Sequence, residues 1–343
     1  MTHISGSHTR ADLVGRHDEP MAPVGGSSAS AAAAKPQRQP TLSHRLQYGA
    51  LRGVVAALRG VGLRAASNAG AGLGMLGYWP FGIRREVVER QVRAALPDLP
   101  PDEVRRIARA SYANLGRTTT ETALLPMYDA ERIIGMFEGV EGWSIVEERL
   151  ARDKGLIIVT GHLGNWELGG AYVAARGLPM RAVARHMENP LFDRYLTSTR
   201  ERIGMTIIHD EDAVRRVPRA LRAGHAIAFL IDQGAVGLAS TWVPFFRRLA
   251  KTPRGPAVFA LRLGTPVIFG AAIRQPSGKF RLYFEPIDTT PTGNLEADVD
   301  RIVAEYTAVL ERWVRRAPEQ YFWHHRRWKH QRAGTPPELG EPT

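Results

Sequence analysis

Among its 343 residues the chain has no cysteine, which excludes disulfides, thiolate metal sites and a cysteinyl nucleophile. Any covalent intermediate must use another residue, and the absence fits a reducing cytoplasm. Residues 1–42 lack the apolar h-region of a secretory signal. They are rich in Ser, Ala, Gly, Pro and His, which reads as a disordered tail, and Met21 is a candidate alternative start. Acidic residues are missing from 44 to 85. A long apolar run is missing too: 65–83 is uncharged for nineteen residues, but Gly70, Gly72, Gly74, Gly77, Gly82, Asn68 and Pro80 interrupt it. That length approaches a bilayer span, whereas the composition favours an anchor lying in the interface.

The residues present describe an ordinary globular domain with a basic surface. Hydrophobic content is 44% and charged content 23%, enough to build one large core. A formal charge of +12 calls for an anionic partner, whether nucleic acid, lipid or acidic protein. Leu51, Val54, Val55, Leu58 and Val61 repeat at helical spacing beside Arg45, Arg52 and Arg59. Such a helix either lies on an anionic membrane surface or packs on the domain. Residues 43–83 are therefore expected to associate with membrane. Helices follow over 84–96 and 101–125, with Asp102 as a candidate N-cap. From about residue 133 short apolar runs alternate with helical segments of 10–15 residues, which specifies an α/β fold, a mainly parallel sheet with helices on both faces. The expected organisation is an N-terminal helical layer, a single domain over 84–332, and a flexible tail over 333–343.

The chemistry centres on Leu156–Gly170. Leu156–Val159 reads as a buried strand ending near Thr160, followed by His162 and Glu167. On one straight helix, positions five apart stand about 140° apart. The pair therefore needs a break, with His162 in the turn and Glu167 in the first turn of the next helix. Glu167 is then placed to bond one imidazole nitrogen and leave the other to accept a proton from a hydroxyl. Arg185 follows a second strand and Arg200 lies on the helix after it, so both can reach the same crevice. Asp232-Gln233 closes another apolar run, placing a carboxylate at the same sheet edge. The closing stretch, Pro318 to Lys329, interleaves basic and aromatic residues in a pattern that could also stack on single-stranded nucleic acid.

Four motifs in order carry a resemblance: Gly161-His162-Leu163-Gly164-Asn165-Trp166-Glu167, Asn189-Pro190 through Asp193 to Arg200, Asp232-Gln233, and Pro318-Glu319-Gln320-Tyr321-Phe322-Trp323 through Lys329. They resemble the lipid A late acyltransferase (lauroyl/myristoyl) branch of the lysophospholipid acyltransferase superfamily. The resemblance implies transfer of a fatty acyl group from acyl carrier protein or acyl-CoA to a hydroxyl of a lipid A precursor or similar glycolipid. It implies His162 as base, Glu167 as its orienting acid, Arg200 at the oxyanion, and Asp232 setting the orientation or charge of Arg200 or His162. Arg185, Asn189, Gln233 and Asn165 become expected substrate contacts. No metal or redox cofactor is called for, nor nucleic acid, and the expected place is the cytoplasmic face of the inner membrane, peripheral or single-pass. A phosphatidylinositol mannoside, a lysophospholipid or a lyso-ornithine lipid are alternative acceptors. Related sequences often carry glycine after the double Phe, where this chain has Arg247.

Overall fold

The structure, a computed structural model, describes residues 39–151, 154–234, 239–332, 334–337 and 340–342. The tail expected over 1–42 falls, as far as residue 38, outside the described residues. The chain from residue 39 onward is a separate compact unit.

An N-terminal layer is built from α1 (Leu42–Leu58), α2 (Leu63–Tyr78), α3 (Arg85–Ala95) and α4 (Pro101–Leu124). Next come α5 (Ala130–Gly135), β1 (Phe137–Glu141), α6 (Trp143–Leu150), β2 (Leu156–Thr160), α7 (Trp166–Ala175), β3 (Met180–Ala184), α8 (Pro190–Arg202) and β4 (Met205–His209). The rest is α9 (Ala213–Arg222), β5 (Ala226–Leu230), β6 (Ser240–Phe245), β7 (Arg248–Pro253), α10 (Gly255–Leu263), β8 (Val267–Arg274), β9 (Phe280–Ile287) and α11 (Leu295–Arg316).

Seven strands form one sheet in the order β1-β9-β8-β2-β5-β3-β4, parallel throughout except for the β8–β9 hairpin. Strand periodicity divides its apolar residues between two cores. Ile157 and Val159 of β2 join the cluster containing α3, α10 and α11, whereas Leu156 and Ile158 join the cluster under α6 and α7. Burial on both faces explains why β2 and β5 are apolar runs without alternation. The N-cap of α4 is Pro100, without a side-chain bond, and Asp102 lies in the first turn, where it favours the helix dipole without capping it.

Helix α1 is only partly packed. Val55 is buried, with Leu51 and Leu58 against it, while Leu42, Leu46, Val54 and Arg45, Arg52 and Arg59 are exposed. Among the described residues no helix is long and apolar enough to cross a membrane. The segment expected as a flexible tail, 333–343, is held to the domain in its described part: Glu341 pairs with Arg326 at 2.6 Å and the Gly340 carbonyl accepts from Arg248 at 2.7 Å.

Candidate active site at the sheet edge

The turn between β2 and α7 is shaped by two close approaches. Gly164 has φ 64°, and a Cβ there would lie 1.9 Å from the Ala272 carbonyl oxygen. At Gly161 a Cβ would fall 2.6 Å from Leu310. The turn is then clamped from several directions: the Gly164 N–H donates to the Gln320 carbonyl, the Gly164 carbonyl accepts from Asn114 and Thr118, and the Phe322 N–H donates to the His162 carbonyl. His162 lies in the turn and Glu167 in the first turn of α7, as their spacing requires.

The expected partnership between the two is not what forms. Asp232, at the end of β5, takes the imidazole: His162 Nδ1 is 2.7 Å from one carboxylate oxygen, and the His162 backbone N–H donates to the other at 2.9 Å. With a carboxylate on Nδ1, that nitrogen carries the proton and Nε2 keeps its lone pair. The Gln233 amide nitrogen stands 3.4 Å from both ring nitrogens, and Trp166 and Phe322 frame the ring at 4.7 and 5.8 Å. Burial works to push the Asp232 carboxyl up. The charge and two hydrogen bonds of His162, with Arg327 behind, outweigh it and bring the pKa down to about 2.

Glu167 instead holds Arg200. The guanidinium Nε donates to Glu167 at 2.9 Å and a second bond joins the same pair, making it bidentate. Both side chains are largely buried. Burial disfavours the Arg200 charge, but Glu167 more than compensates and raises its pKa. The Trp166 indole donates to the same carboxylate at 3.2 Å. Five positions of spacing bring His162 and Glu167 to one sheet edge, but each is engaged by a residue distant in sequence. Asp232 reaches the imidazole because β2 and β5 are adjacent and in register.

The expected substrate contacts divide. Gln233 is at the imidazole. Asn165 is fully buried: its oxygen caps α7 through the Leu168 N–H and its amide donates to Glu121 at 2.8 Å. Asn189 caps α8 and donates to α1 at His44 and Gln47. Their polar atoms are engaged within the fold, as helix caps and inter-element bonds. Arg185 leaves β3 at the same sheet edge, with its guanidinium 3.2 Å from Asp210 and mostly exposed.

The C-terminal stretch proves to be part of the wall. Tyr321, Trp323, Trp328 and Arg327 are all buried, so these aromatics are not available to stack on nucleic acid bases. The Arg327 guanidinium bonds the Lys251 carbonyl and the Thr252 hydroxyl, and Gln91 holds the segment through two backbone carbonyls. Tyr321, whose phenol burial and the neighbouring Asp232 push far up, lies behind the His162–Asp232 pair. Sequence reasoning did not assign Tyr321, Phe322, Arg327 or Trp166 to the site. The clue was a polar-aromatic cluster in a chain that already had its hydrophobic core.

A model of the bacterial lipid A biosynthesis acyltransferase family matches residues 35–330. The chain belongs to this family. It is therefore an acyltransferase. A lauroyltransferase of lipid A biosynthesis from Escherichia coli K12 is 27% identical over 269 residues, spanning 78% of this chain and 86% of that one. The palmitoleoyltransferase of the same organism is 28% identical over 259 residues, 74% and 82% of the two chains. A phosphatidylinositol mannoside acyltransferase from Mycolicibacterium smegmatis is 22% identical over 270 residues, 76% and 83%.

Proposed function

We propose that this acyltransferase moves a fatty acyl group from the thioester of acyl carrier protein or acyl-CoA to a hydroxyl of a lipid A precursor or related glycolipid, working at the cytoplasmic face of the inner membrane. The observation that carries the reading is the opposed pair of dyads, His162–Asp232 and Arg200–Glu167, at one sheet edge. His162 Nε2 takes the proton of the acceptor hydroxyl as its oxygen attacks the thioester carbonyl. Asp232 stays ionised, fixes the tautomer and stabilises the imidazolium that forms, the role the acid has in a triad whose nucleophile here is the substrate. The tetrahedral oxyanion expels the thiolate, which His162 reprotonates, so the enzyme ends as it began. Arg200, held in place by Glu167, turns its remaining N–H donors to the oxyanion or to an acceptor phosphate, a contribution of ~3 kcal/mol where one donor serves an oxyanion.

The membrane part of the reading has its own support. Nine of the thirteen large apolar side chains exposed among the described residues lie in 42–83, led by Leu42, Trp79, Phe81 and Leu46, and exposed arginines accompany them. A patch of that kind suits an anionic bilayer surface.

The test offers the purified protein a dodecanoyl thioester with a lipid A precursor, a phosphatidylinositol mannoside or a lysophospholipid, and follows products by mass spectrometry. Acylation of a glycolipid, lost in His162→Ala, is the expected result. Transfer to lysophospholipid alone, or transfer surviving His162→Ala, contradicts it.

A further inference from the structure

Outside the site, a concave pocket of ≈520 Å³ lies between the C-terminal end of α3, the β6–β7 turn and the end of α11. Five arginines line it, Arg90, Arg93, Arg247, Arg248 and Arg315, with Asp98 the one acid among the lining residues. Two of the five are engaged: Arg315 pairs with Glu311 at 2.7 Å and Arg248 bonds the Gly340 carbonyl. Arg90, Arg93 and Arg247 form no ion pair among the described residues. Glu89 near Arg93 and Asp98 in the lining offset only part of this positive charge, so the guanidiniums facing one space still repel each other, and an anion with several acidic groups relieves that repulsion. Guanidinium forks match carboxylates and phosphates in a way that ammonium groups do not.

Backbone conformation adds an independent observation. Phe246 and Arg247 form a two-residue hairpin turn, with φ 50° and 63°. Such turns need positive φ at both positions and normally take Gly, Asn or Asp. For Phe246, burial offsets the strain: its ring packs on Trp323 at 6.0 Å and under the Arg315 guanidinium at 4.5 Å. Arg247 is exposed, so no burial offsets the strain there. A strained position occupied by a long cation with no internal partner is what an intermolecular contact would retain.

The pocket communicates with the site through aromatic rings. Phe246 meets Trp323, Trp323 meets Tyr321 at 4.8 Å, and Tyr321 lies beside Asp232. An occupant of the arginine pocket is linked to the site by this unbroken series of ring contacts. None of the large exposed apolar side chains lines the pocket, which argues against a lipid surface as the occupant.

We propose that this pocket is the landing site for the acidic protein carrier that presents the acyl thioester. The proposal rests on the acyl-transfer reading and specifies its donor. The test uses the full chain and a fluorescently labelled dodecanoyl acyl carrier protein, with affinity measured by anisotropy at low salt. Arg247→Gly removes the guanidinium and relieves the turn. It should weaken carrier binding at least tenfold, flatten the salt dependence, and leave the thermal midpoint equal or higher. The ratio of kcat/KM for the carrier donor to that for dodecanoyl-CoA should fall similarly, and further in Arg90→Gln/Arg93→Gln. Arg222→Gln removes the same charge from the end of α9 that leads into the opposite edge of the sheet, and should leave both readouts unmoved. The proposal is overturned if Arg247→Gly binds the carrier like wild type or if Arg222→Gln weakens it equally. Equal losses with the CoA donor, or a loss of anionic-vesicle binding in place of carrier binding, overturn it as well. Wild-type protein that binds the carrier through these arginines but transfers no acyl group would remove the acyl-transfer reading and leave the docking site standing.

Discussion

The sheet edge and the α1–α2 layer treat polar and apolar groups in opposite ways. At the edge, the polar groups of His162, Asp232, Glu167 and Arg200 are drawn from three segments of the chain and held in matched pairs, with both carboxylates buried. In the layer, α1 buries only Val55, and apolar side chains from Leu42 to Ile83 face outward. The first arrangement is costly to break and has little reason to exist unless its geometry is used. The second leaves hydrophobic area uncovered that a bilayer would cover. On the proposed function, chemistry and attachment fall to different parts of one unit, and each can be removed without the other.

Substitutions can separate the two regions. The largest effect is expected from Asp232→Asn, which keeps the shape but removes the charge and the correct tautomer. Its kcat should drop by roughly 10³–10⁴-fold with vesicle binding intact. Glu167→Ala leaves Arg200 buried without its partner and should destabilise the fold by ~3–5 kcal/mol in urea unfolding, while Glu167→Leu/Arg200→Met recovers much of that loss but not activity. Acid should act on the wall behind the site. Burial pushes both His324 and His325 down to about 4. As pH falls from about 6.5 towards 4, the unfolded chain takes up protons that the folded chain refuses, so stability present above that window is lost on the way down. The loss is on the order of 3 kcal/mol per ring, and urea midpoints at pH 7 and pH 4.5 measure it. The smallest structural effect belongs to the layer: Trp79→Ser/Phe81→Ser should shift stability by less than ~0.5 kcal/mol yet reduce partition into anionic vesicles about tenfold. Should this pair unfold the protein instead, the assignment of 42–83 to a membrane surface is lost.

Much of the fold could be read from local pattern. β2 and β5 were legible as short unbroken apolar runs, and the break between His162 and Glu167 followed from helix geometry. The pairing of charges was only partly legible: Asp232 was expected beside Arg200 or His162, and the choice depends on which strands are neighbours, since β5 lies between β2 and β3 and that order brings Asp232 to His162. The structural roles of Asn165 and Asn189 were hidden for a related reason. A polar residue in a motif looks the same in sequence whether it meets a ligand or caps a helix, and both cap helices here. The C-terminal aromatics looked exposed because arginines surround them, yet Trp323 and Trp328 are buried.

The identity of the carboxylate that orients His162 is tested most directly by proton and nitrogen NMR of the imidazole in the wild type and two variants. A downfield Nδ1 proton with an unprotonated Nε2 is expected in wild type, retained in Glu167→Gln and lost in Asp232→Asn. Loss in Glu167→Gln with retention in Asp232→Asn would contradict the account.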